Sequence, residues 1–302
     1  MIIQHTGKII DGLYMVGTPA MPVYLLDGEN PAVFDAGLAF LGRIYAGGIK
    51  EIIGDCDLRY CFLSHSHFDH CGSVAVLKKY FPALKVVASN RVKKVLGRPN
   101  AVALMGELTR AAEQMAASIG IELDEFDRFE PFEVDVTLKD GELLELSRGL
   151  TIRAIETPGH TRDCLSFFIP RKKVLFCSEA AGIPDASGYI VSEALVDFDQ
   201  YYESMKRLSE VEFDVLCLGH RQALNGRDAR QYIQKSMADC RRFLNLVETC
   251  LAEEGGDVQK VIARIKAIEY DPIKEPKQIE AAYLLNLEAK VKAIQKRMQT
   301  RR

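Results

Sequence analysis

The chain has six histidines, and three of them, His65, His67 and His70, fall in the stretch Ser64-His65-Ser66-His67-Phe68-Asp69-His70. Neutral imidazole is the commonest biological metal ligand and Asp adds a hard anionic oxygen, so this clustering points to metal binding. In an extended segment the side chains at i and i+2 leave the same face. His65 and His67 can therefore share one ion, with Asp69 on their side. His70 is adjacent to Asp69 and needs a turn to aim at a second ion. A loop at the carboxyl end of a strand supplies such a turn, and functional residues gather in such loops. His160 and His220 each follow a glycine at the end of a strand-like segment, whereas His5 stands apart and reads as an ordinary residue.

The elements that must position these side chains are short strands in the first half of the chain. Pro22 to Leu26, a turn at Asp27-Gly28-Glu29-Asn30, and Ala32 to Phe34 read as a hairpin. Arg59 to Leu63 reads as a strand that runs into the histidine loop. A helix over Ser73 to Tyr80 and a strand over Leu84 to Ala88 complete a βαβ-like alternation. Residues 101–119 are rich in helix formers. Strand character returns at Val134 to Leu138, Leu143 to Leu146, Leu150 to Ile155, Leu165 to Ile169 and Val174 to Phe176.

From about residue 198 helices prevail, apart from the apolar segment Asp214 to Leu218. Ile233, Met237, Cys240, Leu244, Val247 and Leu251 form one apolar stripe. Ile279, Tyr283, Leu287, Val291, Ile294 and Met298 form a second, with a break at Glu253 to Asp257. Both stripes are expected to pack on the main domain or, in part, against a second copy as a homodimer. Lys290, Lys292, Lys296, Arg297, Arg301 and Arg302 make the C-terminus basic, and they read as solvated cations near a helix end.

The 302 residues are 48% hydrophobic and 27% charged, with 39 basic against 42 acidic side chains. This near-balance offers no global basic surface for nucleic acid. The longest charge-free stretch, Gly12 to Leu26, is broken by Gly17, Pro19 and Pro22 and falls short of the roughly 20 apolar residues of a spanning helix. Lys8 and Asp11 stand where a signal peptide needs an apolar core, so the expectation is a cytoplasmic protein that does not enter a membrane. The eight cysteines form no CxxC pair and read as buried, reduced thiols, Cys71 included.

The ordered motifs carry a resemblance. His65 to His70 has the form HxHxDH and is followed by Cys71-Gly72. Thr157-Pro158-Gly159-His160-Thr161, Leu175-Phe176-Cys177-Ser178-Glu179 and Leu218-Gly219-His220 come in order after it, with Phe34-Asp35-Ala36-Gly37 upstream. Together they resemble the metallo-β-lactamase-fold hydrolase superfamily over roughly residues 8 to 225. The resemblance implies a four-layer αβ/βα sandwich of two mostly antiparallel sheets over residues 1–225, and a helical extension over 226–302 that packs on or caps the active site. It implies one divalent ion on His65, His67 and His160 and a second on Asp69, His70 and His220. The superfamily usually bridges the two ions with Asp in a Gly-Asp pair. Ser178-Glu179 stands there, so Glu179 would bridge with one more methylene. Imidazole and carboxylate without thiolate suit zinc, iron or manganese alike. Such a pair activates water and polarises the scissile carbonyl, with Asp69 as catalytic residue orienting the water or accepting its proton.

The Thr-Pro-Gly-His-Thr motif and the Lys139-Asp140-Gly141-Glu142 turn resemble the glyoxalase II and thioesterase-like branches. The layout is similar to the quinolone-signal response thioesterases, which also have a helix like Phe198-Asp199-Gln200-Tyr201-Tyr202. The implied reaction is hydrolysis of a small thioester or acyl ester. The helix over 101–119 and the C-terminal helices would cap the cleft, and Tyr201 and Tyr202 would line the acyl pocket. The alternatives on the same residues are a phosphodiesterase, a mononuclear iron sulfur dioxygenase, and a weakly active regulatory protein that works by binding a partner. Oxygen-reducing di-iron relatives carry HxExDH, and Ser66 holds the place of that Glu.

Overall fold

The computed structural model describes residues 1–118, 120–123, 125–274 and 277–301. Strand β1 (Ile2–Ile3) opens the chain. The first sheet follows in chain order as β2 (Gly7–Ile10), β3 (Leu13–Gly17), β4 (Pro22–Leu26), β5 (Ala32–Phe34), β6 (Tyr60–Phe62), β7 (Lys85–Ser89) and β8 (Val136–Leu138). The second half contributes β9 (Leu143–Ser147), β10 (Leu150–Glu156), β11 (Leu165–Ile169) and β12 (Val174–Ser178). After these come a small hairpin, β13 (Ile183–Pro184) and β14 (Ile190–Val191), then β15 (Val215–Leu218) and β16 (Ala223–Asn225). The second sheet has the order β1-β16-β15-β12-β11-β10-β9.

The two sheets stack face to face because most central strands are apolar on both faces. Alternation divides them. Ala32, Phe34, Val174, Phe176, Val215 and Cys217 point between the sheets, while Val33, Leu175, Leu216 and Leu218 point outward. Between the sheets Phe34 stacks on Phe176 with ring centroids 3.7 Å apart, and Phe62 lies beside Phe34 at 5.1 Å. These rings tie the ends of β5, β6 and β12 together under the histidine loop.

Helices cover both outer faces. On the first sheet lie α1 (Gly42–Ile53), α2 (Phe68–Cys71), α3 (Val74–Tyr80), α4 (Asn90–Leu96) and α5 (Pro99–Ser118). On the second lie α6 (Phe198–Ser209), α7 (Arg227–Glu253), α8 (Val258–Ile265) and α9 (Glu280–Thr300). The four-layer arrangement expected from the motifs is present. The C-terminal helices share one continuous core with the outer face of the second sheet. No helix among the described residues is long and apolar enough to cross a membrane.

Several expectations need correction. The first sheet is only half antiparallel: β5, β6, β7 and β8 run parallel, as do β12 and β15 in the second. These parallel pairs bring the carboxyl ends of β5 and β6, and of β12 and β15, to one edge. The helix expected over 101–119 begins at Pro99, and residue 119 lies outside the described residues. Ile279 is 54% exposed because it precedes the first turn of α9 instead of extending its stripe. The C-terminal cations are not all solvated. Arg297 pairs with Asp199 and Glu248, Arg301 pairs with Asp199, and Lys290 is buried; Arg302 lies outside the described residues. Cys56 is exposed, and the other seven cysteines are buried.

Candidate metal centre

Four chain segments at this edge converge. The loop after β6 delivers His65, His67, Asp69 and His70, the last two on the short helix α2, which supplies the turn that His70 needs. The β10–β11 loop delivers His160, the end of β12 delivers Glu179, and the β15–β16 turn delivers His220. The ligand-type atoms fall into two groups, His65, His67, His160 and Glu179 in one, Asp69, His70 and His220 in the other, each within 4.8 Å.

Glu179 joins the two groups. Its Oε2 lies 2.6 Å from His160 Nε2, 3.3 Å from His65 Nε2 and 3.5 Å from His70 Nε2, and its Oε1 lies 3.2 Å from His220 Nε2. Asp69 Oδ2 lies 3.6 Å from His220 Nε2 and 3.8 Å from His70 Nε2. A Glu therefore reaches both groups from the position where Asp was the expected residue. Ser178 meets the need for the preceding glycine by taking a positive φ of 48°.

Hydrogen bonds behind the cluster set which nitrogen faces it. His65 Nδ1 meets Ser64 Oγ at 2.9 Å, His70 Nδ1 meets Asp35 Oδ2 at 2.9 Å, and His160 Nδ1 meets the Glu193 carbonyl at 2.8 Å. Each rear contact places the proton on Nδ1 and leaves the Nε2 lone pair forward. His67 instead turns Nδ1 toward His160 Nε2, at 3.1 Å. Asp35, itself at φ 59°, also accepts from Ser64 N at 2.8 Å, Ser64 Oγ at 3.0 Å and Ser178 Oγ at 3.2 Å. The sequence marks Asp35 only as part of a turn motif, and its role depends on three residues far away in the chain.

The charges are those of a cation site. Burial, with His70 and His67 nearby, pushes His65 well below its ordinary pKa, and burial with His160 takes His67 to about 4. Burial opposes protonation of His70 and His160 as well, but Asp69 and Asp35 raise the first and Glu179 the second. Burial would raise Glu179, yet His160, His220 and His65 hold its carboxyl well below the usual range. His65 Nε2 and His70 Nε2 are buried and make no hydrogen bond among the described residues, and the partners around the buried Glu179 Oε2 are histidine ring nitrogens. Buried polar atoms of this kind are normally paired, so the donor set fits divalent ions that these atoms would ligate.

The structure places the two expected pocket residues differently. Tyr201 has no accessible surface; its hydroxyl donates to the Glu179 carbonyl at 2.9 Å and accepts from Glu193 N at 3.3 Å. It supports the centre from behind instead of lining a pocket. Tyr202 is half-buried against the α7 core, with the Arg241 guanidinium 4.9 Å from its ring centroid. Cys71 is buried, and burial together with Asp69 and Asp35 raises its thiol well above the ordinary value, which removes it as a nucleophile.

The model of the metallo-beta-lactamase superfamily matches residues 22–220. The atrochrysone carboxyl ACP thioesterase of Aspergillus fumigatus is 20% identical over 260 residues, which cover 85% of this chain and 66% of that protein. The hydroxyacylglutathione hydrolase of Haemophilus influenzae is 28% identical over 156 residues, 51% of this chain and 62% of that protein. The chain thus spans less than two thirds of the length of either relative. The fold matches a metallo-beta-lactamase family protein of Thermus thermophilus with a TM-score of 0.65 at 20% identity, over 97% of this chain and 95% of that one. With its sandwich, its converging loops and this match over residues 22–220, the chain belongs to the metallo-beta-lactamase superfamily of hydrolases.

Proposed function

We propose that the protein is a binuclear hydrolase of thioesters or related acyl esters. His65, His67 and His160 would hold one divalent ion and Asp69, His70 and His220 the second, with Glu179 between them. Zinc or iron, or else manganese, would suit these ligands. Bound ions supply Lewis acidity, which makes water a competent nucleophile at neutral pH and stabilises charge on the acyl oxygen.

The observation that carries the reading is the pair of unsatisfied, buried Nε2 atoms of His65 and His70, turned with Glu179 Oε2 to one point where the nearby thiol, Cys71, is shut away. The attacking group is then water. Asp69, whose side chain is 25% exposed at the mouth, orients it and takes its proton. A thiolate leaving group, with a pKa near 8.5, departs without a strong acid, which suits a site of carboxylates and neutral imidazoles. The names of the thioesterase and hydroxyacylglutathione hydrolase relatives support an acyl thioester substrate.

The test has two steps. Elemental analysis of untagged protein, purified without chelator, should give close to two metal equivalents per chain. The loaded protein should then release thiol from short acyl thioesters, and His67→Ala should abolish the release. One equivalent of iron with sulfur oxidation, or turnover of phosphodiesters alone, refutes the proposal. So does a loaded protein that cleaves nothing but binds a partner equally well after His67→Ala.

A further inference from the structure

Helix α6 and the residues before it grip the loop that carries His160. The Gly159 carbonyl accepts from Val196 N at 3.0 Å and Asp197 N at 3.2 Å, and the Pro158 carbonyl accepts from Ser204 Oγ at 2.7 Å. A side-chain carbon on Gly159 would lie 2.3 Å from the Tyr201 Cα, so loop and helix backbone touch there. Tyr201 sits at that contact, and its buried side chain reaches behind the centre.

The Tyr201 hydroxyl joins two stretches of backbone, one that bears a candidate ligand and one that orients another. It donates to the Glu179 carbonyl at 2.9 Å and accepts from Glu193 N at 3.3 Å. The Glu193 carbonyl in turn accepts the proton of His160 Nδ1 at 2.8 Å. The two carbonyls have further donors, Gly182 N at 3.1 Å and Leu195 N at 2.9 Å. Glu193 N, on a buried residue, meets the Tyr201 hydroxyl alone among the described residues. Without that oxygen the N–H is buried and unpaired, and the peptide that aims His160 must turn to find another acceptor.

We propose that Tyr201 is a positioning residue for the ion at His65, His67 and His160. Its hydroxyl sets the Glu193 peptide that points His160 Nε2 forward, and it steadies the backbone from which Glu179 reaches across. Asp35 does the equivalent for His70, so each group of ligands has its own anchor behind it. Tyr201 bonds to no residue of the Asp69, His70 and His220 group. Its loss therefore falls first on one ion, with a smaller effect on the other through Glu179. That ions bind here rests on the function proposed above; the setting of the His160 ring does not.

Tyr201→Phe keeps the ring and removes one atom. Tyr232→Phe is the control, because Tyr232 is another buried tyrosine of the same core, whose hydroxyl donates to the Gly182 carbonyl at 3.0 Å. Both variants lose one buried hydrogen bond, and both should have a lower urea midpoint. In metal-free protein with labelled histidine, proton NMR should show the His160 Nδ1 proton downfield and slow to exchange. Tyr201→Phe should move or lose that resonance while the His70 Nδ1 proton stays. Zinc titration against a competing chelator should find the ion at His65, His67 and His160 held about tenfold to hundredfold more weakly, and the other changed much less. The visible absorption of the cobalt(II)-loaded protein should shift in the same variant. Tyr232→Phe should leave all three readouts at wild-type values.

Wild-type values of all three in Tyr201→Phe overturn the proposal, and so do equal changes in Tyr232→Phe; either leaves Tyr201 as a core residue that serves stability alone. If wild type takes up no metal, yet the His160 proton is lost in Tyr201→Phe and kept in Tyr232→Phe, the positioning role stands and the binuclear reading falls.

Discussion

Asp35→Asn isolates the hydrogen bonds behind the centre without touching a candidate ligand. Asn fills the same volume and tolerates the positive φ of 59° at this position, so the backbone need not move. The carboxylate accepts at both oxygens, from Ser64 N at Oδ1 and from His70 Nδ1 and two hydroxyls at Oδ2. An amide has one accepting end. If its oxygen stays on Ser64 N, its NH2 faces His70 Nδ1. The ring must then shift its proton to Nε2, the atom turned to the centre. If the amide flips, its NH2 meets the Ser64 N–H instead. Either conflict costs roughly 1–3 kcal/mol, the penalty for an unmet buried polar group. That converts to a tenfold to hundredfold weaker second ion, in line with what ligand-orienting residues contribute elsewhere. Zinc titration against a competing chelator should show the ion at Asp69, His70 and His220 weakened by that factor, with the ion at His65, His67 and His160 changed much less. If both ions in Asp35→Asn bind within about threefold of wild type, His70 is not oriented by Asp35 and the reasoning fails.

Gly159→Ala would place a Cβ 2.3 Å from the Tyr201 backbone at a φ of +129°, so the His160 loop or α6 must shift by about an ångström. We expect a lower urea midpoint for the metal-free protein and incomplete metal loading; wild-type values for both would contradict the close packing. Glu179→Asp withdraws the carboxylate by one carbon–carbon bond, about 1.5 Å, and elemental analysis should find one of two ions lost. Retention of both would show that Glu179 does not span the groups. Metal binding needs free lone pairs, and nearby carboxylates raise both His70 and His160 above the ordinary histidine value, so an ion competes with protons for them more than it would at a free imidazole. Added zinc should therefore release protons near neutral pH, and its affinity should rise with pH and fall on acidification. A pH-independent affinity with no proton release would contradict those raised values. Tyr24→Phe removes a hydroxyl that donates to the Leu218 and Gln222 carbonyls across the turn bearing His220, at 2.7 and 3.0 Å. Denaturant melts should show a loss of about 1–2 kcal/mol.

The metal-type side chains are legible in the sequence because few residue types bind ions, and their spacing in a strand-to-loop segment is a local property. The helix stripes of α7 and α9 are legible for the same reason, since 3.6-residue periodicity is written in neighbouring positions. What depends on distant neighbours is not. No helix is evident over α1, whose Gly47-Gly48 pair lowers its propensity; burial of Tyr45, Ala46 and Ile49 against the sheet makes it. Strand direction leaves no trace in hydrophobicity, so the parallel pairs β5–β6 and β12–β15 are invisible there although they assemble the edge. Lys290 reads as one solvated cation among six because nothing near it in sequence says that α9 turns it inward against Phe243 of α7.

The pair Ser178-Glu179 shows how a local departure from a motif is absorbed by distant residues. A glutamate in place of aspartate pushes the carboxylate outward by a methylene, and that volume must be found nearby. Gly219, on the neighbouring β15–β16 turn, provides it: a side chain there would sit 3.3 Å from Glu179 Cγ and 3.0 Å from both His70 Cε1 and Ser178 Oγ. Serine in place of glycine must take a left-handed conformation at some cost, and its hydroxyl recovers part of that cost by donating to Asp35. Glu179, Ser178, Gly219 and Asp35 therefore act as one unit. An exchange at any one of them should be felt as a shift in the spacing of the two groups before it is felt as a loss of fold.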